Sequence, residues 1–226
     1  MIAGSRWATS VLVAIACEAA PAAELAGTVQ LLSDGQAVST GEVREAVVFW
    51  EPARAVVVQP ASRPVDMVMQ QKAFVPHVAA VTRGSTVRFP NADPILHNVF
   101  SVSPENPFDL GLYGSGPGKT VTFETPGLVR VYCNVHHAMV AYVLVLDTPF
   151  FVSPESDGGF ALASLPTGEG RLHVWHERTE PWNRRMTLPT DEPVVVRLEI
   201  TQRRVAPHFD KSGKPYRETR GDKSYR

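Results

Sequence analysis

Residues 128–147 read LVRVYCNVHHAMVAYVLVLD. The runs 128–132 and 140–146 are dominated by Val, Leu and Tyr, residues that suit a pleated strand. Between them lies a polar loop holding Cys133, His136, His137 and Met139. A TPG turn at 125–127 opens the first run, so the first strand ends at Cys133 and the second begins near Val140. The spacing therefore predicts one loop, joining two strands at the end of a sandwich, that can turn a thiol, an imidazole and a thioether toward one point.

The weight given to Cys133 depends on where the chain resides. The first 27 residues, MIAGSRWATSVLVAIACEAAPAAELAG, carry one basic residue, Arg6, then a short apolar run and small residues around Ala20, Pro21 and Ala22. This is the layout of a secretory signal, too short to span a bilayer, and it predicts a signal over residues 1–23 with the mature chain starting near Ala23 or Glu24. The competing reading makes Cys17 a lipidated anchor, but Ala14 stands where such signals place a bulky aliphatic residue. With the signal removed, Cys17 leaves too, and Cys133 is the single thiol of an exported, periplasmic protein. An unpaired thiol in an oxidising compartment is vulnerable unless it is buried or bound. The ordinary fate of a lone Cys is burial as a small hydrophobe; its neighbours argue for a metal.

A fourth ligand must come from elsewhere, and His97, after the loop NADPIL, is the natural candidate. Two imidazoles and a thiolate with a weak axial thioether suit copper, because sulfur favours Cu(I) and imidazole accepts Cu(II). A structural zinc site would be given four strong Cys or His ligands, and a thioether serves zinc poorly.

Outward from this loop the chain continues as short runs of Val, Phe and Thr separated by Gly, Pro, Asp and Asn, with no persuasive helical period. That pattern predicts an all-β sandwich or a pair of them. SDGQ at 33–36 and SDGG at 156–159 are hairpin-type turns. The only candidate helix is a turn near NPFDLGLYG, residues 106–114.

From about residue 74 to 146 the chain resembles the plastocyanin-like cupredoxins. FVPHVAAVTRGSTVRFPNAD is similar to their entry strands, HNVFS to the segment of their first ligand histidine, and PGLVRVYCNVHHAM to their ligand loop in its short, amicyanin-like form. The resemblance implies His97, Cys133 and His136 as equatorial copper ligands and Met139 as the axial one. It also implies a supporting role for Asn98 and one type 1 copper. His137 departs from the pattern, standing where short-loop relatives often carry Pro, and so offers a competing imidazole.

The flanking segments AGTVQLLSDGQAVSTGEVREAVVFWEP and SDGGFALASLPTGEGRLHVWHE, with VVVRLEI, resemble the two halves of a carboxypeptidase-regulatory-like, prealbumin-type sandwich. That resemblance implies a scaffold at 24–61 and 148–202, with the cupredoxin Greek-key sandwich at 62–147 inserted into it or adjoining it. Residues 203–226 carry eight Lys or Arg against three Asp or Glu, and almost no aliphatic residue after Val205. They read as a flexible basic arm, laid in part over the body through Phe209 and Tyr216. Export removes nucleic acid as its partner.

Other residues invite a metal role but fit ordinary packing better. His173 and His176 are three apart on a strand and so face opposite sides. Met67 and Met69 share a face, yet two thioethers alone are ordinary packing. His77 and His208 receive no metal role. The expected function is single-electron transport between redox partner proteins, with no substrate transformed and no transmembrane segment in the mature chain. The alternatives are Cu(I) binding and delivery, or a cell-envelope binding module with a structural copper. A multicopper oxidase or nitrite reductase is disfavoured, since Cys133 is flanked by Tyr132 and Asn134 and no His-x-His pair occurs.

Overall fold

The computed structural model describes residues 22–38, 41–202, 210–211 and 214. Residues 1–21 of the expected signal, with Cys17, and His208, Phe209 and Tyr216 lie outside them, whereas the signal's last two residues, Ala22 and Ala23, open the first strand. In chain order the strands are β1 (Ala22–Ser33), β2 (Gln36–Ala37) and β3 (Val47–Pro52), with a 3-10 turn at Glu42–Glu45 before β3. Next come β4 (Val65–Asp66), β5 (Val68–Gln70), β6 (Ala73–Val75), β7 (Val78–Thr82), β8 (Ser85–Asn91) and β9 (His97–Ser101). These lead to β10 (Phe108–Tyr113), β11 (Gly116–Phe123), β12 (Gly127–Tyr132) and β13 (Val140–Leu146). The chain closes with β14 (Phe151–Val152), β15 (Gly159–Pro166), β16 (Gly168–Trp175), β17 (Trp182–Leu188) and β18 (Val194–Glu199). The all-β class expected from the sequence is what the structure shows.

Four sheets result. Strands before residue 53 and after residue 150 form two of them, ordered β15-β1-β18 with β2 on β1, and β14-β3-β16-β17. Strands between form the other two, ordered β10-β9-β12-β13-β7 and β11-β8-β5-β6 with β4 on β8. Period-2 burial explains the pairing: Val194, Val196 and Leu198 of β18 face inward while their neighbours are exposed. One core packs Leu25, Val29, Trp50, Leu165, Leu172 and Val196; a second packs Met67, Met69, Phe89, Phe123, Val131 and Val143. Met67 and Met69 are thus apolar filler.

Local chemistry sets several turns. Asp34 and Gly35 have φ of 51° and 73°, the left-handed pair of a tight hairpin, and Ser33 lies opposite Gln36. At Gly170 a Cβ would overlap the Trp50 indole and come within 2.8 Å of the Glu51 carbonyl oxygen, so only glycine lets β16 lie against β3 there. Residues 108–113, read from sequence as a helical turn, are strand β10: Phe108 pairs with Ser101 and Tyr113 with His97, and ladder bonds to β9 override the weak local signal. Gly111, at φ 69°, breaks the register between Asp109 and Leu112, and this bulge obscures the strand period in the sequence.

The entry and exit of the middle segment lie side by side. The Thr148 hydroxyl donates to the Trp50 carbonyl at 2.7 Å, and Trp50 N–H to the Phe150 carbonyl at 2.9 Å. The two pairs of sheets meet face to face across β13. All seven of its residues are buried: Ala141, Val143 and Val145 enter the second core, while Val140, Tyr142, Leu144 and Leu146 turn toward Val47, Phe49, Phe151 and Trp175. A strand buried on both faces reads as a continuous apolar run, here VAYVLVL.

Leu144→Ala tests this junction. Removing the side chain leaves a cavity between the two pairs of sheets, and urea denaturation should show a loss of about 2–4 kcal/mol. A loss below about 0.5 kcal/mol, the range of a solvated surface position, would show that the face is not packed.

Candidate metal centre

Tyr132 and Val140 pair across β12 and β13, so residues 133–139 form a closed loop at one end of the sheet. Its backbone is tied: Cys133 N–H donates to the Met139 carbonyl at 3.2 Å, and Met139 N–H to the His136 carbonyl at 3.0 Å. His97 opens β9, the other neighbour of β12. Sheet order thus brings together residues far apart in sequence.

Cys133 Sγ lies 3.7 Å from His97 Nδ1 and 3.9 Å from His136 Nδ1, and the two Nδ1 atoms are 3.1 Å apart. Cys133 and His97 are fully buried, whereas His136 keeps a partly exposed edge. His97 Nε2 sits 2.8 Å from Asp93 Oδ2. A carboxylate only accepts, so Nε2 carries the proton and the Nδ1 lone pair faces the thiol and the second imidazole. A buried thiol and two imidazole nitrogens aimed at one point form a donor set that fits a soft or borderline metal, copper above all. Met139 is buried at the far anchor of the loop, in the same apolar cluster as Cys133. His137 is partly exposed and stands outside the three-residue group.

Asp93 is the part of the site that the sequence reading missed. It lies four residues before His97, and its carboxylate also accepts the backbone N–H groups of Gln71 and Lys72 at 2.7 and 2.9 Å. Burial pushes its pKa up, but the bonds from Lys72, His97 and Gln71 outweigh that and hold it below the ordinary Asp value. The Asn91 side chain braces the same loop, donating to the Ile95 carbonyl at 2.9 Å and accepting the Asp93 N–H at 2.9 Å. The Asn98 side chain donates to Asp109 at 2.7 Å, and Lys211 pairs with Asp109 at 2.7 Å. His136 is held below the ordinary histidine value, first by burial, then by repulsion from His97 and Lys72. Burial, with the nearby Cys133, raises the Tyr113 phenol, which donates to the Phe89 carbonyl at 2.9 Å.

The remaining candidates are dispersed. His173 stacks on Phe49 with ring centroids 4.6 Å apart and pairs with Glu51 at 3.0 Å, whereas His176 is buried beyond the end of β16. His77 pairs with Glu177 at 2.9 Å where the two pairs of sheets meet. Among the described residues no helix is long and apolar enough to cross a membrane.

No protein-family model matches the chain. No curated protein matches it either. Among solved structures it is similar to a Cu-containing nitrite reductase from Thermus scotoductus, at 27% identity and TM-score 0.36, over 42% of this chain and 26% of that one. This chain therefore spans about a quarter of the reductase. It is similar to a purple cupredoxin from Nitrosopumilus maritimus at 21% identity and TM-score 0.33, over 36% of this chain and 99% of that one. Amicyanin from Paracoccus versutus gives 16% identity and TM-score 0.34, over 41% of this chain and 96% of that one.

Two measurements check the site as drawn. Asp93→Ala removes the acceptor that orients His97, and Cu(II) affinity in a competition titration should fall about 10–100-fold, the usual cost of losing such a partner; an unchanged affinity would show that His97 needs no orienting. In the metal-free protein, the imidazole C–H resonance of His136 should titrate below the ordinary midpoint of about 6.5. Protons would then compete for its lone pair only at lower pH than at an exposed histidine, and a midpoint at or above the ordinary value would contradict the burial described.

Proposed function

We propose that the chain is an exported, periplasmic type 1 copper protein that carries single electrons between redox partner proteins and transforms no substrate. The observation that carries this reading is the convergence of the buried Cys133 Sγ with the Nδ1 atoms of His97 and His136. His97, Cys133 and His136 would hold copper there, with Met139 as a further thioether ligand, and the ion would supply one-electron chemistry between Cu(I) and Cu(II).

The chain's own residues suit that task. β9, β12 and β13 fix the ligand-bearing segments in one sheet, so the donors keep their positions whichever oxidation state is present. Burial of Cys133 and His97 excludes water from the sulfur side. His136 alone of the three reaches the surface and offers the short path outward. Exposed apolar side chains border that exit: Ile95 and Leu96 precede His97, Val135 precedes His136, and Leu112 pairs with Asn98. This mainly apolar rim, with the Lys72 charge nearby, lets a partner approach closely and separate quickly, as transient electron-transfer contacts require.

The test is optical and electrochemical. Adding Cu(II) to the mature chain should produce an intense visible thiolate-to-copper band that Cys133→Ser abolishes. Voltammetry should show a reversible one-electron couple that keeps its metal against a chelator, and Met139→Gln should shift its potential. A colourless protein that binds copper would remove the electron-carrier reading and favour Cu(I) handling.

A further inference from the structure

Outside the thiol site, the described residues contain one other convergence of metal-ligating side chains: Glu45, His77 and Glu177, each offering a ligand atom within 4.8 Å of the others. Glu45 lies in the 3-10 turn before β3, and Glu177 follows β16. His77 comes from the other side of the junction, between β6 and β7. Framework contacts help to set the three. Tyr142 N–H donates to the His77 carbonyl at 2.9 Å, fixing the imidazole's backbone to β13. Arg178 pairs with Glu42 at 2.5 Å, tying the segment that bears Glu177 to the turn that bears Glu45.

The chemistry of Glu177 is what needs explanation. Its side chain is fully buried, with 0% exposed, and neither carboxylate oxygen has a well-aligned donor; the polar groups beside it are the Tyr142 phenol and the His77 imidazole. His77 Nε2 comes within 2.9 Å of Oε2, yet it too lacks a partner at a usable angle. A hydrogen bond at that distance would be nearly linear. Donor atoms that crowd together without pointing at each other are instead arranged as ligands around a common centre. The nitrogens of His97 and His136, 3.1 Å apart, show the same crowding at the thiol site. The adjacent cation offers no relief, since Arg178 is engaged by Glu42 and by the Gln202 carbonyl at 3.1 Å. A buried carboxylate whose only neighbours are a phenol and one imidazole, without a well-aligned hydrogen bond, is costly in a protein interior, and a bound cation would offset that cost.

We infer that Glu45, His77 and Glu177 form a second metal site, which takes a divalent ion of the zinc class and cross-links the two pairs of sheets. One imidazole and two carboxylates are hard-to-borderline donors, suited to Zn2+ and its neighbours and unlike the sulfur-bearing copper set. His77 belongs to the middle segment, whereas both glutamates belong to the flanking strands, so the ion closes the junction that β13 forms by apolar packing. The site is structural and stands independently of the electron-carrier proposal.

Cobalt(II) distinguishes the two sites in the full chain without altering either. Bound at the Cys133 group it gives a thiolate charge-transfer band in the near ultraviolet; bound at Glu45, His77 and Glu177 it gives only weak d–d bands. The wild-type chain should take up two equivalents of Co2+, one with and one without the thiolate band. The second should raise the thermal unfolding midpoint. Glu177→Gln and His77→Gln should each lose the thiolate-free equivalent, or weaken it at least 10-fold, and leave the thiolate band intact. Uptake of a single equivalent with the thiolate band overturns the proposal even if neither variant folds, and so does survival of both equivalents in both variants. One equivalent without the thiolate band supports this second site and counts against the copper reading of the first.

Discussion

Burial of β13 on both faces is the constraint on which the rest of the molecule depends. One face completes the core behind the thiol site through Ala141, Val143 and Val145; the other, through Tyr142, Leu144 and Leu146, joins the middle segment to the flanking strands. Each buried aliphatic side chain contributes roughly 1.5–3 kcal/mol, so a strand with no solvated face cannot slip without exposing one set or the other. A one-residue slip would exchange the two faces completely. The register Tyr132↔Val140 is thereby fixed, and with it the length and shape of the loop between Cys133 and Met139.

The thiol site inherits its precision from that register. Cys133 takes its position from the last rung of β12, and His97 from the first residue of β9, in a sheet where β12 separates β9 from β13. Polar contacts then set ring orientation: Asp93 fixes the proton of His97, and its own carboxylate is held by the backbone of the β5–β6 turn. Gln71 and Lys72 sit in that turn with φ of 54° and 58°, which aims their N–H groups at Asp93. A strained turn in one sheet therefore steers the His97 ring in the other.

What the sequence disclosed follows from the range of each signal. Strand content was legible because apolar alternation and turn residues are local, and β8 and β18 alternate cleanly. The convergence of Cys133 and His136 was legible because they share one loop, and that of His97 because the segment HNVFS resembles a known ligand strand. β10 was misread because the bulge at Gly111 breaks its alternation and its partner lies on β9. Asp93 was missed because an Asp-Pro loop looks like any turn until His97 Nε2 is seen against it. The Glu45, His77 and Glu177 group joins three segments with no shared motif, and only the packing of the sheets reveals it.

The account's central claim is that His97, Cys133 and His136 hold one copper ion through sulfur and two imidazole nitrogens. Copper K-edge X-ray absorption of the metal-loaded chain tests it most directly, because it reads the atoms bound to the metal. The account predicts a nearest shell of one short sulfur and two imidazole nitrogens, in both oxidation states and with little change between them. A shell of nitrogen and oxygen alone, or one rebuilt on reduction, would contradict it.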